Sequence, residues 1–563
     1  MSSFSDLFTD VIGSGLALEL QEEESLEPTN PFSSGHVERL LQDRAKDDAR
    51  SGGGSANIGG SAHDAEIYVR QDYPIASLQS ANLGCRILFQ PAQIDGIAVS
   101  GAKPVTLFPP RSGSNSSLSG VRCLAVRESP EHTRCCLTKP FACHIYFDPY
   151  TDSVVVHNRE KFPLRIKPSP EVPGIGDLTI HGYSSSVLAG GSWNFSTPSQ
   201  SCVFQALVFP RTRVLELMAL SVRQVAGFKR DLAEQDPVDE PSTDQSTGSM
   251  AIKHLECISD LVNGQVARFH STDADDESDF TLFRMRRVGE TKSAIVFKAR
   301  HSGHPRQIIV VKAFKKSPDR DVIVRAQSWR NEYRVHLGIE SENIAKLLGG
   351  DARIHALFLE HVDATDLCHS TWCDVRATKE FRGTDVHALC VVRDMARALQ
   401  YLRRNKILHN DIKPANILFS GEKAVLIDFG LGTFDGANPI SGGTPWYVGP
   451  EYLIKGERKG PSDMWALGIV ALYVHCTIKL PDTGIDVPSW LIRDVGSASS
   501  ADKQMEAWIQ LIQRKLHLMK LNDEFGAIIA SMLEMQPEIR ITPDDLVKRC
   551  EGLKPGIITR NKC

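Results

Sequence analysis

Three side chains with oxygen donors, in fixed order, carry the chemistry legible in this chain. Asp411 and Asn416 lie five positions apart in HNDIKPANIL (409–418), and Asp428 follows twelve further on in IDFG (427–430). Carboxylate and amide oxygens are hard ligands of the kind magnesium prefers. An aspartate beside them can orient a hydroxyl and accept its proton, and Lys413 can steady a phosphate as a point charge. The chemistry such a set could do is phosphoryl transfer, which asks a protein for positioning and charge more than for covalent participation. Taken singly, Asp411 and Asp428 read as ordinary loop carboxylates. Together, in this order and within the run ILHNDIKPANILF, they form a specific signal.

Residues from about 279 to 555, roughly half the chain, resemble a eukaryotic serine/threonine protein kinase domain. The resemblance implies that Asp411 orients the substrate hydroxyl, with Lys413 beside the transferring phosphate and Asn416 and Asp428 as magnesium ligands. In RQIIVVKAF, Lys312 ends an apolar β-branched run and matches the lysine that pairs nucleotide phosphates. Glu332 in WRNEYRVHLGIESENI matches its partner on the family's third helix. In GTPWYVGPE, Thr444 matches the threonine that contacts Asp411 and Lys413, so the catalytic set is Asp411, Lys413, Lys312, Glu332 and Thr444. The nucleotide set is Gly289, Val296, Lys312, Glu360, His361, Asp366, Asn416 and Asp428, with Leu359 behind the adenine. The segment LFLEHVDATDL supplies the hinge: Glu360 and His361 offer backbone groups to the base, and Asp366 contacts the ribose. Glu451 is expected to pair with Arg540, and Asp463 to brace the catalytic-loop backbone.

Three motifs depart from the family pattern, the mildest being GTPWYVGPE, with Gly449 for alanine. The glycine-rich loop keeps Gly289 but has Thr291 and Ala294 at its other two glycine positions. Glycine lets backbone amides approach phosphate without steric cost, so nucleotide affinity is expected to suffer. The usual HRD is HND here, with Asn410 where an arginine normally binds a phosphate on the activation segment. An asparagine carries no charge for that pairing. Lys315 or Arg325 would have to replace it if the segment is controlled by phosphorylation.

With 563 residues, 24% charged and 41% hydrophobic, the chain has a globular composition and room for two to four domains. A net charge of −5 gives no hint of nucleic-acid binding. MSSFSDLFTDVIGSG lacks the basic start and apolar core of a secretory signal, and MWALGIVALYV is too short to span a membrane, so a cytoplasmic or nuclear place is expected. The 13 cysteines are scattered and read as reduced thiols; Cys368 and Cys373 in CHSTWC have no second pair at zinc-site spacing.

The expected fold class is α+β: a bilobal kinase-like domain after a mostly β, sandwich-like domain and a disordered N-terminus. Residues 1–63 are poor in large apolar groups. From 64 to 212, short β-prone runs (CRILFQ, GIAVSG, PVTLFP, VRCLAV, HIYFDP, SVVVHN, DLTIHG, CVFQALVFP) alternate with turn residues, as in a sandwich. HIYFDPYTDSVVVHN, LAGGSWNF and CVFQALVFP faintly resemble the second half of a forkhead-associated domain, which would imply a phosphoprotein partner. The Gly-Arg and Ser-x-x-His signatures of that family's first half are not visible. Residues 213–278 read as a helix (214–235) and an acidic linker, 279–555 as the kinase-like domain and 556–563 as a tail. The function expected is a Mg-ATP-dependent kinase of protein serine or threonine, with the β-domain recruiting or regulating. The alternatives are a pseudokinase scaffold and a phosphopeptide-binding adaptor.

Overall fold

The computed structural model describes residues 85–91, 98–107, 121–169, 176–198, 200–211, 213–218, 253–271, 279–291, 293–316, 322–437, 442–496, 500–519 and 524–553. The readings of 1–63 and of the linker 236–250 fall outside these residues.

The N-terminal domain is built from β1 (Ile87–Pro91), β2 (Ala98–Val99), β3 (Ala102–Leu107), β4 (Val121–Val126), β5 (Arg134–Lys139) and β6 (Cys143–Phe147), followed by β7 (Val154–Asn158), β8 (Leu164–Pro168), β9 (Leu178–Ile180), β10 (Ser185–Leu188), β11 (Gly191–Thr197) and β12 (Gln200–Val208). Among the described residues one sheet runs β3-β4-β1-β12-β11-β8-β9 and a second runs β10-β7-β6-β5-β2. Ile87, Phe89 and Phe204 of the first share one buried core with Ile145, Val154 and Val156 of the second, so the two sheets form a sandwich. The period of two is plain in β8, where Leu164 and Ile166 face inward while Arg165 and Lys167 face water. In β7 it is lost, because all five residues of VVVHN are buried. Something therefore covers its outer face as well.

The next sheet runs β14-β13-β15-β16-β17-β18-β20-β19. Its strands are β13 (Arg213–Met218), β14 (Lys253–His254), β15 (Val266–Ser271), β16 (Phe280–Glu290), β17 (Ala294–His301), β18 (Ile309–Phe314), β19 (Leu347–Asp351) and β20 (Ala356–Glu360). The helical reading of 214–235 is corrected here. Residues 213–218 are a strand paired along its length with β15, and 219–235 lie outside the described residues. Leu215 and Leu217 recur at a period of two, and β15 offers the backbone partners an isolated helix could not. The acidic stretch 270–279 likewise begins inside β15; its residues 272–278 are outside the described set.

Helix α1 (Val322–His336) packs between this sheet and the sandwich, and its Ile323 and Ala326 lie against Tyr146 and Val155. This contact is what covers β7. Below follows a mainly helical lobe: α2 (Asp385–Arg404), α3 (Pro450–Lys455), α4 (Gly460–Val474), α5 (Ser500–Leu518), α6 (Glu524–Met532) and α7 (Pro543–Gly552). α4 is buried from Asp463 to Val474, which accounts for its all-round apolar sequence. No helix among the described residues is long and apolar enough to cross a membrane.

Candidate active site

The site lies where the strand-rich lobe meets the helical lobe. Its upper wall is β17 and β18, whose register sets Val296 opposite Lys312. Lys312 Nζ is 2.7 and 2.8 Å from the Glu332 carboxylate oxygens on α1 and 2.8 Å from Asp428 Oδ1. Burial opposes charge on the lysine, but Asp428 and Glu332 outweigh it and hold the ammonium well above its ordinary range. At Glu332, 2% exposed, burial pushes the carboxyl up while Lys312 pulls it down; the 2.7 Å contact marks an ion pair. Asp428 stays ionised below the usual carboxylate range, because Lys312 and then Lys413 overcome its burial.

Phe429 links this cluster to the floor. Its ring lies 4.5 Å from His336 on α1 and 4.8 Å from His409 on the loop below. The placement of α1 is thus mechanically joined to the loop that holds Asp411.

On that loop, Asp411, Lys413 and Thr444 close a ring. Lys413 Nζ is 2.7 Å from Asp411 Oδ2 and donates to Thr444 Oγ1 at 2.9 Å, and the threonine hydroxyl donates to Asp411 Oδ1 at 3.0 Å. Burial raises the Asp411 carboxyl, but Lys413 more than offsets it and leaves it below its ordinary range. The Asn416 amide nitrogen donates to the Asp411 carbonyl (2.8 Å) and carboxylate (3.1 Å), which commits its nitrogen and leaves its oxygen as the ligand atom. That oxygen and the Asp428 carboxylate are a hard donor pair suited to magnesium. From beneath, Asp463 on α4 accepts the backbone N–H groups of His409 (2.8 Å) and Asn410 (2.9 Å).

Asn410 and Asp428 both take left-handed backbone angles, φ 63° and 67°. Such angles are uncommon outside glycine and cluster where structure is held for function. The Asn410 amide donates to the Leu431 carbonyl and to Thr433 Oγ1, both at 2.9 Å. A neutral side chain thereby ties the catalytic loop directly to the activation segment. Lys315 and Arg325 are engaged elsewhere: Lys315 pairs with Glu290 at 2.8 Å, and Arg325 is buried beside Asp148. Sequence reasoning missed Arg458, whose Nη1 donates to the Asn410 carbonyl at 3.2 Å from a buried place over the Tyr452 ring. Its position in the stretch before α4 carries no motif that would have singled it out. The His336–Phe429–His409 chain was equally unread, although each histidine sits at a fixed offset from a residue that was chosen: four after Glu332 and two before Asp411.

The phosphate loop is stapled from within. Thr291 Oγ1 accepts the N–H groups of Ser293 (3.3 Å) and Ala294 (3.0 Å), while Lys315 donates its N–H to the Ser293 carbonyl at 2.8 Å. Gly289 pairs with Val296 across β16 and β17. In the hinge the expectation for Glu360 narrows. Its N–H donates to the Lys346 carbonyl and its carboxylate accepts the Lys346 N–H, both at 2.9 Å, so the amide is not available to a base. His361 is half-buried, which lowers its imidazole pKa. Asp366 Oδ1 accepts the Cys368 N–H at 2.8 Å, with burial raising its carboxyl.

Farther down, Glu451 and Arg540 form a two-pronged pair, both contacts 3.0 Å, with Arg540 also donating to the Glu534 and Pro461 carbonyls.

A strand-rich lobe over a helical lobe, with a lysine–glutamate pair above and an aspartate loop below, defines a bilobal protein kinase fold. Residues 283–550 match the protein kinase domain family, and this part of the chain is a protein kinase domain. Relatives include a calcium/calmodulin-dependent serine/threonine-protein kinase of Malus domestica, 38% identical over 116 residues (19% of this chain, 28% of that protein). A calcium and calcium/calmodulin-dependent serine/threonine-protein kinase of Oryza sativa subsp. japonica is 30% identical over 191 residues (32% and 34%). Mitogen-activated protein kinase kinase kinase 8 of Rattus norvegicus is 28% identical over 237 residues (39% and 45%). The chain thus spans less than half the length of these curated relatives.

Proposed function

We propose that the chain transfers the γ-phosphate of Mg-ATP to serine or threonine hydroxyls of protein substrates, and that its N-terminal β-domain recruits partners or regulates the transfer. The observation that carries the reading is the simultaneous engagement of Lys312 with Glu332 and Asp428 above a closed Asp411–Lys413–Thr444 ring. A kinase needs both halves in place at once. Asp411 would hold the attacking hydroxyl and take its proton as the oxygen bonds to the γ-phosphorus and ADP departs. Lys312 would hold the nucleotide phosphates, and Lys413 would balance charge on the phosphoryl group in flight. Magnesium, held by Asn416 and Asp428, would supply charge neutralisation at the phosphate oxygens.

The Thr291 bonds favour one rival, a pseudokinase scaffold, because they occupy amides that would otherwise face phosphate. Purified full-length chain, labelled ATP and a generic basic protein separate the two, beside an Asp411→Asn control. Transfer by the wild type that is lost in Asp411→Asn supports the enzyme reading. No transfer by folded wild type, or equal transfer by Asp411→Asn, overturns it.

A further inference from the structure

The N-terminal sandwich grips the kinase domain at elements that set the Lys312–Glu332 pair. The first half of α1 presents Ile323 and Ala326, 2% and 0% exposed, to Tyr146 on β6 and Val155 on β7. Between them Arg325 is buried, its guanidinium 4.5 Å from the centre of the Tyr150 ring and 3.6 Å from Asp148, while its Nε donates to His355 Nδ1 at 3.2 Å. The Tyr150 hydroxyl donates to the Phe314 carbonyl at 3.0 Å, at the end of β18 and two residues beyond Lys312. The Pro130 carbonyl accepts the Ala352 N–H at 2.7 Å, in the turn between β19 and β20.

These attachments fall on three elements of one lobe: the helix that carries Glu332, the strand that carries Lys312 and the turn behind them. The helix has two buried faces. Trp329, Glu332 and His336 face the kinase lobe, and Ile323 and Ala326 face the sandwich. Without the sandwich, the second face would meet water, and a helix with an unburied apolar stripe loses most of what fixes it. The state in which the sandwich holds α1 is the one with Lys312 at 2.7–2.8 Å from Glu332 and Phe429 between His336 and His409.

We propose that the N-terminal β-domain is a built-in activator of the kinase domain, holding α1 through Tyr146, Tyr150 and Val155 so that Glu332 stays on Lys312. The proposal rests on the kinase reading above and names how that site is regulated. Asp148 and Tyr150 are positioning residues; neither touches the reacting atoms.

The test uses the full chain. Tyr150→Ala combined with Val155→Asp alters only residues of the sandwich, with Val155 on the face turned to α1. Transfer should fall at least about tenfold in kcat, and amide exchange across 322–336 should rise while exchange in β11 and β12 stays as in the wild type. Wild-type kcat in that variant, with β11 and β12 protected, overturns the proposal, and a gain in kcat would make the sandwich an inhibitor and overturn it too. Tyr150→Phe decides if the double variant unfolds, because it keeps the ring and loses only the hydroxyl with its bonds to Phe314 and Cys257. A fall of about fivefold in kcat supports the proposal, and unchanged kcat refutes it. If the wild type itself shows no transfer, the kinase reading has failed, and the exchange at 322–336 still reports whether the sandwich holds the helix: unchanged exchange in the variants refutes the grip.

Discussion

Asn410→Gly isolates the two hydrogen bonds that stand where a phosphate-binding arginine would otherwise act. Glycine accepts φ 63° without strain, so the backbone of the catalytic loop keeps its path and only the side-chain bonds to Leu431 and Thr433 are lost. Each partly buried bond is worth about 0.5–1.5 kcal/mol net, giving about 1–3 kcal/mol for the pair. At 1.4 kcal/mol per decade, the ratio of docked to displaced activation segment should fall roughly 5- to 150-fold. The fall should appear in kcat more than in KM for ATP, since Lys312, Glu332 and Asp428 are untouched. The assay is steady-state transfer by phosphatase-treated protein whose intact mass shows no phosphate. Wild type should already be fully active in that form. Two results would refute the reasoning: wild-type kcat in Asn410→Gly, or a large rise in wild-type activity on phosphorylation of Thr433 or Ser441. Ser441 lies outside the described residues; Thr433 is the residue whose hydroxyl Asn410 holds, so Thr433→Val should cost about half as much as Asn410→Gly.

Three further outcomes follow from the same geometry. Thr291→Gly with Ala294→Gly releases the Ser293 and Ala294 amides from the Thr291 hydroxyl and should lower KM for ATP; an unchanged KM in steady-state titration would show that these amides do not face the phosphates. Arg540→Ala strands Glu451 and should cost about 3–5 kcal/mol, read as a fall of several degrees or more in a thermal scan, whereas a shift within error would count against a buried pair holding the lobe. Burial raises the Asp482 carboxyl to about 6 against the pull of Lys413, so the folded chain binds a proton there more tightly than the unfolded one and loses stability as pH climbs from about 4 to about 6. Asp482→Asn should therefore stabilise by about 3 kcal/mol at pH 7.5 and by almost nothing at pH 4; an equal effect at both values would mean the carboxyl titrates normally.

The sandwich and the kinase lobes were legible because their strands and central helix bury fixed periods of apolar side chains. Each of the eight β-prone runs found between 64 and 212 overlaps a strand, while RCCLTK (β5), LRIKP (β8) and SSVL (β10), whose polar residues dilute the apolar signal, are not among them. The stretch VLELM was misread because a period of two and one of 3.6 overlap within five residues, and only a neighbouring strand decides between them. For Glu360 the expected backbone role narrows to its carbonyl, because its N–H already donates to Lys346, fourteen residues away, a competition invisible in one dimension.

By itself, the sequence determined the residues on which the proposed chemistry rests. Asp411, Lys413, Asn416 and Asp428 lie within eighteen residues of one another, so local spacing constrains the floor of the site. Asn410 and Thr291 could be seen as departures, but not what they do instead. Tertiary structure decided that Asn410 reaches Leu431 and Thr433, that Thr291 holds its own loop closed, and that Arg325 belongs to a domain interface and not to the activation segment. The reason is range. Bonds within a turn are written in neighbouring residues, whereas the seat of Glu332 depends on residues some 180 positions away, such as Tyr150, which no local pattern relates to it.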